Sequence, residues 1–248
     1  MAMSALRITD LPSPNHDARP VPPDMLVLHY TGMQTAAAAI DRLRDPVARV
    51  SSHYVVDEDG AVFRLVPEAR RAWHAGVSFW NGRQQLNDWS IGIEIVNPGH
   101  EWGYRPFPPA QINAVTVLCA DIIARHAIPQ RYVVAHSDIA PTRKQDPGEL
   151  FPWAELAQAG IGLWPGGDAS STDPSDDDLK ILRLMLTVIG YDALNTPFEA
   201  LVTAFQRHWR PQTVNGVADA GTALRIHGLI RMIDAHQRNG HRHADQGR

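Results

Sequence analysis

The stretch Arg131–Gly148, RYVVAHSDIAPTRKQDPG, joins an apolar run to a segment holding one histidine, one lysine and two aspartates. RYVVAH reads as a short strand. Pro141 and the Pro147-Gly148 pair interrupt the backbone, so residues 137–148 are predicted as a loop entered directly from that strand. Loops held by rigid elements are where chemistry is commonly placed. Working outward, MLVLHYT, SHYVVDEDGAVFRLV and SIGIEIVN also read as strands, the second folding back at Asp57-Glu58-Asp59-Gly60 as a hairpin. Helical patterns lie between and around them, at TAAAAIDRLRD and at PPAQINAVTVLCADIIARHAI, where Ile112, Val115, Leu118 and Ile122 recur at helical spacing. Strands separated by helices predict an α/β domain with a mixed central β-sheet flanked by helices.

Composition narrows the function classes. The chain has 248 residues, 44% hydrophobic and 20% charged, which is ordinary for a globular protein with one substantial domain and room for a small second one. A formal charge of -4 gives no electrostatic footprint for a nucleic-acid partner, and that class is set aside. The single cysteine, Cys119, lies in an apolar helical run and reads as a small buried hydrophobe. No segment approaches the roughly 18 unbroken apolar residues of a membrane span, and MAMSALRITDLPSPNHDARP has no apolar signal region. A cytoplasmic setting is therefore expected, with the periplasm as the alternative, and the chain is expected to be a monomer.

Composition changes at WPGGDASSTDPSDDD, rich in Gly, Ser, Asp and Pro. The chain is accordingly divided into a catalytic domain at 1–165, a linker at 166–174, a small helical domain at 175–235 and a disordered tail at 236–248. Ser175 and Asp178 resemble a capping box opening DDLKILRLMLTVIGY. PFEALVTAFQRHW places Phe198, Leu201, Val202, Phe205 and Trp209 on one face, and TALRIHGLIRMI follows as a third helix. The histidines of the tail, His236, His241 and His243, are assigned no function.

Within the long loop His136 and Asp146 are candidate metal ligands. Alternation in MLVLHY puts Met25, Val27 and His29 on one face, with His29 near the strand end, so two histidines ending two strands and a loop carboxylate could converge. Imidazole and carboxylate suit zinc, and three protein ligands leave a fourth position open, as catalytic sites require. The alternative for His29 is a satisfied core histidine. SIGIEIVN sets Ile91, Ile93 and Ile95 on one face and Gly92, Glu94 and Val96 on the other. A carboxylate in so apolar a strand marks either a site position or an ion pair with an arginine. Lys144 alone reads as a solvated loop charge.

Taken together, LHYTG, RAWHAGVSFWNGRQQLNDWSIGIEIVN and AHSDIAPTRKQDPGELFPW resemble the zinc-dependent N-acetylmuramoyl-L-alanine amidases, which share a fold with the peptidoglycan recognition proteins. The resemblance runs from about Pro20 to Trp164. It implies Zn2+ held by His29, His136 and Asp146, catalytic roles for Glu94 and Lys144, and substrate contacts at His74, Arg143 and Asn97. The implied reaction is hydrolysis of the amide joining N-acetylmuramic acid, or its 1,6-anhydro form, to L-alanine, on muropeptides or on the intact sacculus. A non-enzymatic peptidoglycan recognition protein is the rival, and loss of a zinc ligand would mark it; here every such position is filled. FEALVTAFQRHWRPQTVNGVADAGTALRIHGLI is similar to the three-helix peptidoglycan-binding domain in its AFQR helix, its NG turn and Thr222. It departs from that pattern in having RPQTVNG where a short glycine turn is usual.

Overall fold

Strand β3 (Met25–Tyr30) lies between β9 (Ser90–Ile95) and β10 (Val133–Ala135), parallel to both, in a computed structural model that describes residues 6–166 and 172–245. Most of the expected linker, residues 167–171, and the last three residues of the expected tail lie outside the described residues. The elements before β3 are β1 (Ile8–Asp10) and β2 (His16–Ala18); after it come α1 (Ala36–Arg44), β4 (Tyr54–Val56), β5 (Val62–Arg64), β6 (Arg70–Ala72), β7 (Phe79–Trp80) and β8 (Arg83–Gln84). Helices α2 (Gly99–Trp102) and α3 (Pro109–His126) separate β9 from β10, and α4 (His136–Ile139) and α5 (Trp153–Gln158) follow. The chain closes with α6 (Asp176–Ile189), α7 (Phe198–Trp209) and α8 (Ala220–Asp245).

The main sheet has the order β1-β5-β4-β9-β3-β10, and only the β4–β5 hairpin is antiparallel, so the sheet is mixed as the sequence predicts. Register pairs Val27 with Gly92 and with Val134, and His29 with Glu94. Paired residues of parallel neighbours share a face. One face therefore carries Leu26, Leu28, Ile91, Ile93 and Ile95, which pack on Ile112, Val115, Leu118 and Ile122 of α3. All four helical positions picked out by spacing are buried there, and so is Cys119, whose thiol burial pushes up.

The other face is covered in two patches. Leu43 of α1 lies with Val55, Leu65 and Val96 over one part. Over the rest, Met25, Val27 and Val134 join Trp80 and Leu86 in a single apolar cluster with all three C-terminal helices. Leu182 and Leu186 of α6, Phe205 and Trp209 of α7, and Ile226, Leu229 and Ile233 of α8 supply the helical side of that cluster. Gly190, which ends α6 at φ 146°, lies on the Trp80 ring, where a Cβ would come within 2.5 Å of it. Apolar packing thus runs without a break from the sheet into the three C-terminal helices.

Two local expectations differ from the structure. The segment after β10 is not loop throughout, because His136–Ile139 makes one helical turn before Pro141 ends it. The expected boundary at His236 falls inside α8, which runs from Ala220 to Asp245 with no proline to interrupt it. The Asn81-Gly82 turn between β7 and β8 has φ of 49° and 78°, as a tight hairpin requires, a signal the sequence reading passed over.

Candidate active site

Because β3, β9 and β10 are parallel, the next-to-last residues of β3 and β9 and the first residue after β10 meet at the carboxyl ends of the strands, in the crevice where open α/β sheets commonly bind ligands. His29, Glu94 and His136 lie at these positions, and the turn through Pro141 returns the chain so that Asp146 joins them. Ser137 N donates to Asp146 O at 3.0 Å and ties the two ends of that turn together. His29 Nδ1, His136 Nδ1 and Asp146 Oδ2 are separated by only 2.8, 2.9 and 3.1 Å, and all three residues are buried.

The surrounding hydrogen bonds fix what these atoms present. Ser90 donates its hydroxyl to Leu86 O at 2.6 Å, so its oxygen is left to accept from His74 Nε2 at 3.3 Å. His74 Nδ1 then accepts from His29 Nε2 at 3.0 Å, and His29 Nδ1 is a lone pair. On the other ring, His136 Nε2 donates to Ala75 O at 3.2 Å, which leaves His136 Nδ1 a lone pair as well. Burial, then the proximity of His136, lowers the His29 pKa to about 4. Three acceptor atoms therefore face one another, and a divalent cation fits this donor set.

Glu94 lies beside the cluster with Oε2 buried and without a hydrogen-bond partner. Burial chiefly, and then the charge of Asp146, push its carboxyl well above the ordinary value, with Lys144 opposing. No arginine pairs with it among the described residues, so the ion-pair alternative has no support. Lys144 is half-buried and lines the same cleft, which has a volume of about 780 Å³ and is also bordered by Tyr30, Arg42, Trp73 and Trp102.

The three expected substrate-contact residues fall differently. His74 reaches the cleft wall but spends both ring nitrogens on His29 and Ser90. Arg143 also lines the cleft, while its Nη2 donates to Ala75 O at 3.1 Å and Val77 O at 2.6 Å, bracing the turn after His74. Asn97 is buried away from the cleft lining: its amide donates to Arg105 O at 2.8 Å and its carbonyl accepts from Gly99 N at 3.0 Å. Sequence reasoning missed Ser90 and Gly92. A Cβ on Gly92 would lie 2.5 Å from the His74 ring, so this glycine makes the room the ring occupies. A glycine inside an isoleucine-rich strand was the available signal.

The model of the N-acetylmuramoyl-L-alanine amidase family matches residues 19–149. The chain is 44% identical over 228 residues to the N-acetylmuramoyl-L-alanine amidase AmiD of Escherichia coli, covering 83% of this chain and 82% of that one. It is 37% identical over 168 residues to the 1,6-anhydro-N-acetylmuramyl-L-alanine amidase AmpD of Escherichia coli, covering 59% of this chain and 88% of the relative. The structure is similar to that of E. coli AmiD in complex with the substrate anhydro-N-acetylmuramic acid-L-Ala-D-gamma-Glu-L-Lys, with a TM-score of 0.77, 41% identity and coverage of 86% and 90%. It is also similar to AmpDh3 of Pseudomonas aeruginosa in complex with anhydromuramic pentapeptide, with a TM-score of 0.73, 33% identity and coverage of 86% and 93%. With the site's donor set and these similarities together, the chain belongs to the N-acetylmuramoyl-L-alanine amidase family.

Proposed function

We propose that this amidase acts on anhydro-muropeptides through a zinc ion held by His29, His136 and Asp146, with Glu94 as general base and acid and Lys144 as the oxyanion partner. The observation that carries the reading is the convergence of three lone-pair atoms beside the unpartnered Oε2 of Glu94. Zinc bound there would act as a Lewis acid, acidifying water and polarising the scissile carbonyl. Glu94 takes the proton that water loses as its oxygen bonds to the lactyl carbonyl carbon, and returns it to the alanine nitrogen as the C–N bond breaks. The raised pKa of its carboxyl suits both halves of that transfer. Lys144 places its ammonium charge at the cleft wall, where negative charge develops on the carbonyl oxygen.

The substrate class rests on similarity to the two structures that hold anhydromuramyl peptides. A monomer is part of the proposal, and the mass of the protein in solution tests it. Among the described residues no helix is long and apolar enough to cross a membrane. The cytoplasmic setting expected from sequence is part of the proposal, and fractionation of the native protein tests it, recovery from the periplasm being the opposing result. Residues 175–235 are read as the helical unit of the architecture, sharing the core described above.

Metal analysis and a Glu94→Gln variant test the chemistry. One zinc per chain is expected in both proteins, with turnover of an anhydro-muropeptide lower in the variant by about 10²–10⁴-fold. Full turnover by metal-free protein, or by Glu94→Gln, would refute the assignment.

A further inference from the structure

Asp138, two residues beyond His136, is fully buried, and its carboxylate is gripped from three directions. Oδ2 accepts from Ala135 N at 2.8 Å and from His208 Nδ1 at 2.6 Å, and Oδ1 accepts from the Tyr191 hydroxyl at 2.6 Å. His208 is itself held between the rings of Trp153 and Trp209, each with a centroid separation of 3.7 Å. Tyr191 follows α6, and His208 lies in the last turn of α7. Two of the three donors that satisfy this carboxylate therefore come from the C-terminal region, one from α7 and one from the segment after α6.

We propose that Tyr191 and His208 are positioning residues for the metal site, acting through Asp138 on the helical turn that presents His136. That turn spans only His136–Ile139, far too short to hold its own shape. Its geometry depends on outside bonds: Ser137 N to Asp146 O, and the grip on Asp138. A buried carboxylate deprived of a donor moves toward another donor or toward water. Movement of Asp138 displaces its neighbours, and His136 Nδ1, placed 2.9 Å from Asp146 Oδ2, loses its aim. In this respect the helices belong to the catalytic centre whatever they contribute to binding the wall.

The inference rests on the proposed metal reading, and the test separates the two. Zinc affinity by chelator competition, the visible spectrum of the cobalt(II)-loaded protein and metal-free melting are measured on the full chain. Tyr191→Phe removes one donor with little change of shape, and His208→Leu removes the other. Both are expected to weaken zinc binding by about 10-fold or more and to alter the cobalt spectrum. His208→Asn, which keeps an N–H at the Nδ1 position, is expected to recover wild-type affinity. Leu182→Ala, in the same apolar cluster, should lower melting while leaving zinc affinity and spectrum unchanged. Unshifted affinity in folded Tyr191→Phe, or an equal shift in Leu182→Ala, overturns the inference alone. Wild-type protein that binds no zinc overturns the metal reading and the inference with it.

Discussion

Replacing Gly92 by alanine tests the packing behind the site. The added methyl carbon would lie 2.5 Å from His74 Cγ, 2.6 Å from Nδ1 and 2.7 Å from Cδ2, distances that real contacts do not show. Gly92 has a paired neighbour on β3, so its backbone cannot retreat cheaply, and the ring has to move. Overpacking of this kind costs about 1–3 kcal/mol. If the ring turns away, His29 Nε2 loses its acceptor in a buried place, for about another 1–3 kcal/mol. The sum, roughly 2–6 kcal/mol, corresponds to a melting decrease of about 4–24 °C at this chain length. Loss of the bond that orients His29 should also weaken zinc binding by about 10–100-fold. Melting of the metal-free protein and chelator competition read the two effects. The decisive control is His74→Ala: with the ring gone, adding Gly92→Ala should cost almost nothing, so the two changes are strongly non-additive. An unchanged melting temperature for Gly92→Ala, or the same cost in both backgrounds, would contradict the reasoning.

Three other outcomes are expected. Lys144→Ala should keep zinc and lower kcat on a soluble muropeptide, by about 10²–10³-fold if the loss resembles that of an oxyanion-hole donor; unchanged kcat would return Lys144 to a solvated loop charge. His53 is buried, and burial followed by the charge of Arg19 depresses its pKa to about 3, so the folded state resists its protonation. Stability from this group is complete above the unfolded value of 6.5 and is lost as pH falls from there toward 3; acid unfolding of His53→Gln should show a shallower dependence across that window. Ending the chain at Gly166 should strip the cover from Met25, Val27 and Val134, giving a protein that melts lower or precipitates. Unchanged melting of that fragment would show that the shared core contributes little.

How far the site could be read in advance follows from the range of the interactions. The faces of His29 and Glu94 were legible because a strand alternates with period 2 and the surrounding residues are apolar. His136 was legible as a strand-end residue for the same reason. Asp146 was legible as a loop carboxylate able to join the histidines, but spacing did not place it, because its position depends on how the turn after Ile139 folds back. His74 was picked out as a cleft residue, whereas its bonds to His29 and Ser90 depend on register between separate segments. The dependence of Asp138 on Tyr191 and His208 spans 53 and 70 residues and leaves no local pattern to read. The helices themselves were legible from their capping box and apolar spacing, but their cover of the sheet was not, since an amphipathic face does not name its partner.

The apolar face shared by β3 and the last three helices also sets an order of events during synthesis. Chains emerge from the ribosome N-terminus first at about 5–20 residues per second. Met25, Val27 and Val134 are therefore available well before Leu182, Phe205 and Ile233 can cover them, and the donors for Asp138 arrive in the same late interval. For those seconds the apolar face of the sheet is a sticky surface without its cover.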